Sequence, residues 1–278
     1  MIKKDKDFYL FLLGALVFLN ILAWIVVFDF ARTQFLEVTF FDVGQGDAIF
    51  IETPKRQQIL IDGGPDSKIL EKLGKEMSFW DRDIDLIILT HPEKDHLVGL
   101  LEVLKKYRVE NILWTGIIRD TAEYKEWKKL TEEEGAKMFI AKVDQKIYSS
   151  AKNFRAEILY PFENLEGKVY KDSNNTSIIS KLIFDENSFL FTGDIYQSAE
   201  KEILDRGVEV NSDVLKVSHH GSKTSTSEEF LKEVSPQIAV ISVGKENSYG
   251  HPHQEVLERL EKFGIKIFSD GNKSMPIY

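Results

Sequence analysis

Residues 84–96 read IDLIILTHPEKDH, and this stretch decides the fold. The run from Ile84 to Thr90, apolar apart from Asp85 and the terminal threonine, predicts a strand. It ends at a polar segment with two imidazoles and two carboxylates within six residues: His91, Glu93, Asp95 and His96. Helical spacing of apolar residues follows from Leu97 to Tyr107. The four side chains therefore stand at a predicted strand-to-helix junction, and imidazole and carboxylate groups bind divalent metals.

The other histidines lie in two further windows of the chain. His219 and His220 are adjacent, whereas His251 and His253 are separated by one proline, and each pair follows an apolar run. Histidine occurs only in these three windows, which indicates metal binding or proton transfer rather than general structural use. His253 is interpreted as the start of the next helix.

The order of predicted elements indicates an α/β fold. Apolar runs typical of strands alternate with segments of helical spacing. Predicted strands cover residues 35–42, 48–53, 58–62, 84–90, 111–114, 137–141, 154–160, 177–184, 188–192, 213–218, 237–243 and 266–269, and predicted helices cover 97–107, 121–134, 197–206, 226–234 and 254–263. In each half of the chain, strands come first and a mixture of strands and helices follows. This repeated order predicts two packed β-sheets with helices outside. Polar residues recur where strands end, which predicts one shared site: Asp62, His91, Asp194 and His219.

The N-terminal segment has a different composition from the rest of the chain. Residues 8–28, FYLFLLGALVFLNILAWIVVF, carry no charge and match a membrane-spanning helix in length. Three lysines precede them, so the positive-inside rule predicts a cytoplasmic tail at 1–7, a single-pass membrane anchor at 8–28 and an extracytoplasmic domain at 35–278. A cleaved signal peptide would have a shorter apolar core, and a buried core helix would seldom be apolar on every face.

Charge limits the partners of the domain. The formal net charge is −9, and residues 1–31 contribute nothing to it, because three lysines there balance three aspartates. An acidic domain of this kind is not expected to grip nucleic acid tightly by electrostatics alone. The negative charge does not exclude cleavage of a nucleic acid with help from bound metal.

Several motifs resemble one family in their order along the chain. The window from His91 to His96 is similar to the signature of the metallo-β-lactamase superfamily. The following segments resemble the extracellular metallo-hydrolase domain of the ComEC competence protein family: 41–48 (FDVGQGDA), 60–64 (LIDGG), 191–194 (FTGD), 215–222 (LKVSHHGS), 242–244 (SVG) and 247–252 (NSYGHP). The resemblance runs from about Phe35 to the C-terminus and implies the αβ/βα sandwich of that superfamily.

The resemblance also implies a centre for two divalent metal ions. His91 and Glu93 would bind the first ion. Asp95 and His96 would bind the second, and Asp194 would bridge both. One histidine of the pair His219 and His220 would complete the second site, and the spacing leaves open which of them does so.

Other polar residues are predicted to support these ligands or to contact substrate. Asp42, Asp47 and Asp62 are candidates, although each also fits an ordinary turn. Many superfamily members carry a further histidine near residues 174–176, where this chain reads Asn-Asn-Thr, and Asn175 is predicted to take that position. The carboxylate at Glu93 makes the site rich in oxygen. This favours Mn²⁺ while remaining compatible with Zn²⁺, and it weakens the first site.

The expected chemistry is phosphodiester hydrolysis. Two ions about 3.5–4 Å apart suit in-line attack of an activated water on phosphorus. Asp95 and Asp194 would orient that water and accept its proton, and His251 would stabilise charge on a phosphate oxygen. The leading hypothesis is therefore a membrane-anchored DNA nuclease of the ComEC type, which would need a separate channel protein for DNA uptake. The alternatives are a hydrolase of another phosphodiester, such as cell-wall choline-phosphate, and a non-catalytic metal-binding module.

Overall fold

The computed structural model describes residues 2–31, 35–269 and 275–277. Met1, residues 32–34 and 270–274, and Tyr278 lie outside the described residues, and they include parts of the predicted tail and domain. The described helices are α1 (Ile2–Ala31), α2 (Lys68–Glu76), α3 (Lys94–Leu104), α4 (Ala122–Glu134), α5 (Gln197–Asp205), α6 (Glu228–Val234) and α7 (Gln254–Lys262). The described strands are β1 (Glu37–Phe40), β2 (Ile49–Glu52), β3 (Gln58–Ile61), β4 (Asp83–Leu89), β5 (Arg108–Trp114), β6 (Lys137–Ile140), β7 (Lys146–Tyr148), β8 (Phe154–Tyr160), β9 (Ile179–Phe184), β10 (Asn187–Phe191), β11 (Val214–Lys216), β12 (Ile238–Ile241), β13 (Lys266–Ser269) and β14 (Met275–Ile277).

The strands form two seven-stranded mixed sheets. The first has the order β14-β1-β2-β3-β4-β5-β6, and the second has the order β13-β12-β11-β10-β9-β8-β7. Each sheet contains a parallel half, β3 to β6 in the first and β10 to β13 in the second. Parallel neighbours need crossover connections, and the helices α2 to α7 lie within those connections. The two halves of the chain thus repeat one architecture.

Three apolar layers hold the sandwich together. The inner faces of both sheets share one core, in which the rings of Phe40 and Phe191 lie 6.2 Å apart. A second core, which includes the fully buried Trp127, joins the outer face of the first sheet to α2, α3 and α4. A third core, which includes Phe230, joins the outer face of the second sheet to α5, α6 and α7. The predicted αβ/βα sandwich is therefore confirmed.

The parallel strands direct their carboxyl ends to one edge of the sandwich. Just after β4, the carbonyl of Thr90 accepts a hydrogen bond from the Ile178 amide at 3.0 Å, which ties the two halves together. Just after β10, the carbonyl of Gly193 accepts from the amide of His219 at 3.2 Å. This edge therefore gathers the polar residues that follow strands in both sheets.

The described residues form one helix and two strands that the sequence does not predict. Helix α2 buries only Ile69 and Leu73, so its apolar pattern is too sparse to reveal it. Strand β7 has no buried residue, and it becomes a strand through pairing with β8. Strand β14 pairs with β1 from the far end of the chain. Pairing with another strand therefore defines both of these short strands.

Helix α1 carries the predicted membrane anchor. Its segment Lys6–Phe28 has 23 residues, is apolar enough to cross a membrane, and buries no part of that segment against the protein. At 1.5 Å per residue this segment spans about 35 Å, which covers the hydrocarbon core of a bilayer. The helix extends beyond the predicted span of 8–28 at both ends.

Candidate metal centre

Four side chains from three strand ends form a compact polar cluster. Asp95, His96, Asp194 and His220 each place one ligand atom within 4.8 Å of the others. Asp95 and His96 lie in the first turn of α3, because Glu93 is the extended residue at which that helix begins. Asp194 follows β10, and His220 follows β11 in a short 3-10 turn. His96, Asp194 and His220 are buried, whereas Asp95 is partly exposed and opens the cluster to solvent.

The backbone at two positions is shaped to build this cluster. His220 has φ of 53°, in the left-handed region that a non-glycine residue seldom adopts, and this turns its ring toward the cluster. Gly46 has φ of 133°, and a Cβ there would lie 2.1 Å from the carbonyl oxygen of Asp95. Only glycine therefore lets the turn at residues 42–47 pack against the first turn of α3.

Hydrogen bonds fix the orientation of two cluster histidines. His96 Nδ1 lies 2.8 Å from Asp62 Oδ2, and His220 Nδ1 lies 2.8 Å from the carbonyl oxygen of Ser242. A carbonyl only accepts, and an ionised carboxylate only accepts, so each Nδ1 atom carries the proton. Both Nε2 atoms are buried within the cluster and make no hydrogen bond. These Nε2 atoms are therefore the positions at which a metal can replace a proton.

His91 has the same arrangement beside the cluster. Its Nδ1 atom lies 3.0 Å from Thr90 Oγ1 and 3.2 Å from Ser177 Oγ. Thr90 Oγ1 donates its proton to Asp62 Oδ2, and Ser177 Oγ donates its proton to a backbone carbonyl. Both hydroxyls are thus left to accept from His91 Nδ1, and the buried Nε2 atom has no partner. The ring centroid lies 4.2 Å from that of His96.

A buried lysine balances part of the negative charge. The ammonium of Lys216 contacts the carboxylate of Asp47, donates to the Gly193 carbonyl at 3.0 Å and lies 3.5 Å from Asp194 Oδ1. Burial lowers the pKa of Lys216, but Asp47 and Asp194 outweigh it and raise the pKa above its ordinary value. Sequence reasoning missed this residue. A lysine inside the apolar run before His219 was the available signal.

Burial and nearby carboxylates shift the pKa values of the histidines at this site in opposite directions. Burial lowers the pKa of His96, but Asp194, Asp62 and Asp95 outweigh it and hold the pKa well above the ordinary value. Burial likewise opposes protonation of His220, yet Asp194, Asp95 and Asp47 raise its pKa to about 10. Burial and the nearby His96 hold the pKa of His91 well below its usual range. The carboxylates of the cluster therefore favour positive charge beside them. In the absence of a metal ion, protons on His96 and His220 provide that charge.

These residues fit a divalent transition-metal ion. The donors are two imidazole nitrogens and two carboxylates, and the nitrogens are buried, oriented and without hydrogen bonds. Buried donors of this kind are usually satisfied in native proteins, so they point to a missing ligand. Mixed nitrogen and oxygen donors suit both zinc and manganese.

The arrangement at Glu93 differs from the sequence expectation. Its Oε1 atom lies 2.8 Å from Arg119 Nη2 and accepts a hydrogen bond from the hydroxyl of Ser173. Arg119 also donates to the carbonyls of Tyr170 and Lys171, at 2.9 Å each. Glu93 is expected from the sequence to share an ion with His91. The structure instead directs its carboxylate to an arginine that sequence reasoning did not single out.

A cavity of about 330 Å³ opens above the cluster. Its lining combines metal-binding groups with cations and aromatic rings: Gln45, Glu93, Asp95, Arg119, Lys171, Asp172, Asn174, Asp194, Tyr196, His219, His220, Tyr249 and His251. His219 Nε2 lies 3.4 Å from the side-chain amide of Asn174, so this histidine faces the cavity rather than the cluster. Burial and the nearby histidines 219, 220 and 253 lower the pKa of His251 to about 4. His251 is therefore a neutral imidazole at the cavity wall.

The remaining predicted site residues lie further from the cavity. Asn175 bonds Ser198 Oγ and the amide of Tyr196, and the neighbouring Asn174 lines the cavity in its place. The 3-10 turn at residues 174–176 produces this difference, because it rotates successive side chains in different directions. Asp42 accepts from the Gly44 amide at 3.2 Å within its own turn.

Two mixed sheets between helix layers, with a buried imidazole and carboxylate cluster at the strand ends, define a metal-dependent hydrolase fold. Residues 41–245 match the Metallo-beta-lactamase superfamily, and the chain belongs to this superfamily. It is 32% identical over 249 residues to ComE operon protein 3 of Bacillus subtilis (strain 168), covering 83% of this chain and 31% of that protein. It is 30% identical over 232 residues to Competence protein ComA of Neisseria gonorrhoeae, covering 83% of this chain and 30% of that protein.

These similarities confirm the predicted likeness to the ComEC competence proteins. The chain spans about a third of the length of those relatives. The metallo hydrolase Igni18 from Ignicoccus hospitalis superposes with a TM-score of 0.54 at 16% identity, covering 87% of this chain and 99% of that one. At this level of identity the superposition shows a common fold alone.

Proposed function

We propose that this chain is a metal-dependent phosphodiesterase that cleaves DNA. The observation that carries the proposal is the cluster itself, in which His96 and His220 each hold a buried Nε2 atom 3.2 Å from Asp194 Oδ2 without forming a hydrogen bond. The relatives named for competence support DNA as the substrate. The tyrosines at the cavity, Tyr196 and Tyr249, offer ring faces on which bases can stack.

In this proposal the cluster residues bind one divalent ion: Asp95, His96, Asp194 and His220. His91 and Asp194 would hold a second ion, to which Glu93 would contribute little while it is paired with Arg119. When bound, divalent ions neutralise phosphate charge and lower the pKa of water. Asp95, the partly exposed carboxylate of the cluster, accepts the proton of the attacking water.

Side chains at the cavity wall position the phosphodiester. Arg119 and Lys171 provide positive charge at the cavity even though the chain as a whole is acidic. His251 is neutral because its pKa is about 4, so it donates a hydrogen bond to a phosphate oxygen without adding charge. His219 lies beside Asn174 and Tyr196, and burial lowers the pKa of its imidazole. The neutral ring can donate a hydrogen bond to the leaving oxygen.

The helix α1 would hold this activity at a membrane. The lysines before the apolar span favour a cytoplasmic N-terminus, which would put the hydrolase domain outside the cytoplasm. In a role in DNA uptake, a separate channel protein would act together with this domain.

A second candidate is a phosphodiester that carries a quaternary ammonium, such as choline-phosphate on a cell-wall polymer. The cavity brings the rings of Tyr196 and Tyr249 together with the carboxylate of Asp172, which accepts from the Tyr196 hydroxyl at 2.8 Å. Aromatic rings beside a carboxylate bind quaternary ammonium groups. The carboxylate of Asp172 beside the rings is the feature that favours choline, because it attracts a cation and gives no advantage to DNA.

The test compares both substrates on the full-length chain in detergent. The protein is stripped of metal, reloaded with Mn²⁺ or Zn²⁺, and assayed with labelled DNA oligonucleotides and with p-nitrophenylphosphorylcholine. Asp194→Ala is expected to abolish cleavage, while Asp205→Ala, an exposed aspartate on α5, serves as the matched control. DNA cleavage supports the first proposal, and exclusive cleavage of the choline ester replaces it with the second. Metal binding without cleavage of either substrate contradicts both.

A further inference from the structure

An exposed aromatic pair lies away from the metal centre. Phe79 and Trp80, in the loop between α2 and β4, have 78% and 74% of their surface exposed. Their rings meet edge to face at 5.6 Å, and the guanidinium of Arg82 lies 5.9 Å from the centre of the Phe79 ring. Two adjacent aromatic side chains in water are unfavourable, so they indicate a contact surface.

This loop lies beside the first strand of the domain. Glu37, the first residue of β1, pairs with Glu52 of β2, which pairs with Gln58 of β3. The Gln58 side chain donates to Asp81 Oδ2 at 2.7 Å, immediately after the aromatic pair. One cavity is also lined by both Glu37 and Asp81. The aromatic pair is therefore close to the point at which the chain enters the sandwich.

The membrane-spanning candidate lies a short distance upstream of this point. Helix α1 ends at Ala31 and β1 begins at Glu37. The five residues between them can span at most roughly 20 Å. A bilayer around the segment Lys6–Phe28 would therefore hold the edge that carries Phe79 and Trp80 close to the lipid surface.

We propose that Phe79 and Trp80 insert into the interfacial region of the bilayer that surrounds α1. Tryptophan favours this region because its ring is apolar while its N–H can still form a hydrogen bond. Arg82 lies 5.9 Å from the centre of the Phe79 ring and can contact lipid phosphates. The two acids that follow the aromatic pair most closely are engaged within the protein: Asp81 accepts from Gln58, and Asp83 pairs with Arg108.

Insertion at this edge would orient the whole domain. Strand β4 starts just after the aromatic pair and ends just before His91, and its seven residues span roughly 20 Å. The metal centre would thus face away from the bilayer, open to a polymer arriving from the aqueous side. This proposal goes beyond the proposed activity, and it depends on the membrane anchor rather than on DNA cleavage.

The absence of cysteine from the sequence makes a site-specific test direct. Phe79→Cys, Trp80→Cys and Val169→Cys are each introduced into the full chain, labelled with a nitroxide and reconstituted in phosphatidylcholine–phosphatidylglycerol vesicles. Val169 is the control, because it is 73% exposed and lies near the cavity residue Lys171. Power-saturation EPR is expected to give an oxygen-to-nickel accessibility ratio several-fold higher at residues 79 and 80 than at residue 169.

A further label at Leu16→Cys reports whether α1 itself contacts lipid. Lipid contact at residue 16 with water-like labels at 79 and 80 would overturn the proposal and leave the anchor intact. Labels at 79 and 80 that neither reagent reaches would indicate a protein contact and would also overturn it. A water-like label at residue 16 would show that α1 does not contact lipid, and it would therefore overturn both the membrane anchor and this proposal. None of these outcomes depends on whether the protein cleaves DNA.

Discussion

The two sides of the metal centre differ in how completely the protein builds them. On one side, Asp95, His96, Asp194 and His220 converge, and acceptors behind His96 and His220 fix both rings. On the other side, His91 is equally well oriented, but Glu93 is paired with Arg119. From this comparison we propose that one ion position is preformed, whereas the other is only half assembled. Four predictions test this difference.

The largest expected effect is a difference in metal affinity between two variants, each of which removes one histidine from one side of the centre. His220→Ala should weaken binding of the tight ion by roughly 10³-fold, more than the loss expected from removing an outer hydrogen-bond partner. His91→Ala should weaken that ion much less, by about tenfold, because His91 lies outside the four-residue cluster. Competition against a metal-sensitive dye measures both affinities. Equal losses in the two variants would abolish the distinction between the sides.

A smaller effect is expected from the carboxylate behind His96. Asp62→Asn removes the charged acceptor that holds His96 Nδ1 at 2.8 Å, and should reduce metal affinity by about 10–100-fold. The exposed Asp205→Asn controls for the loss of a carboxylate elsewhere. Unchanged affinity in Asp62→Asn would show that packing alone orients His96.

Removing Arg119 should shift the balance between the two sides. Arg119→Ala releases Glu93 toward His91, and the added negative charge should raise the affinity of the second ion by about tenfold. The same variant should bind DNA less tightly, because the cavity loses a cation. Arg119→Lys retains the charge and should resemble the unmodified protein in its second-ion affinity. A fall in second-ion affinity in Arg119→Ala would indicate that Arg119 positions Glu93 as a ligand.

The smallest expected effect is the release of protons when the tight ion binds. Without metal, the raised pKa values of His96 and His220 keep both rings protonated at neutral pH. An ion that takes their Nε2 atoms should therefore displace about two protons, and metal affinity should increase as pH rises from 7 toward 10. Calorimetry in buffers of different ionisation enthalpy counts these protons. Release of none at pH 7 would contradict the protonated state of the cluster.

The sequence was sufficient for the parts of the site that depend on local pattern. The apolar strand before His91 predicts that His91, Asp95 and His96 lie at a strand end, and Asp194 follows a strand in the same manner. The repeated order of strands and helices predicts the two sheets. These features can be predicted because strand period and strand termination are properties of neighbouring residues.

The remaining features depend on contacts between distant segments. The left-handed backbone at His219 and His220 and the carbonyl of Ser242 select which histidine enters the cluster, and spacing does not encode either. Arg119, in the segment between β5 and α4, meets Glu93 only in the folded chain. Similarly, Lys216 acquires its partners only when both sheets are in place.

Equilibrium dialysis of the unmodified full-length chain against Mn²⁺ and Zn²⁺, with metal counted by mass spectrometry, tests the central claim most directly. The two unequal sides predict one tightly bound ion per chain and a second that binds at least about tenfold more weakly. Two ions bound with equal affinity would contradict the half-assembled state of the His91 side. No bound ion under any condition would contradict the metal centre itself.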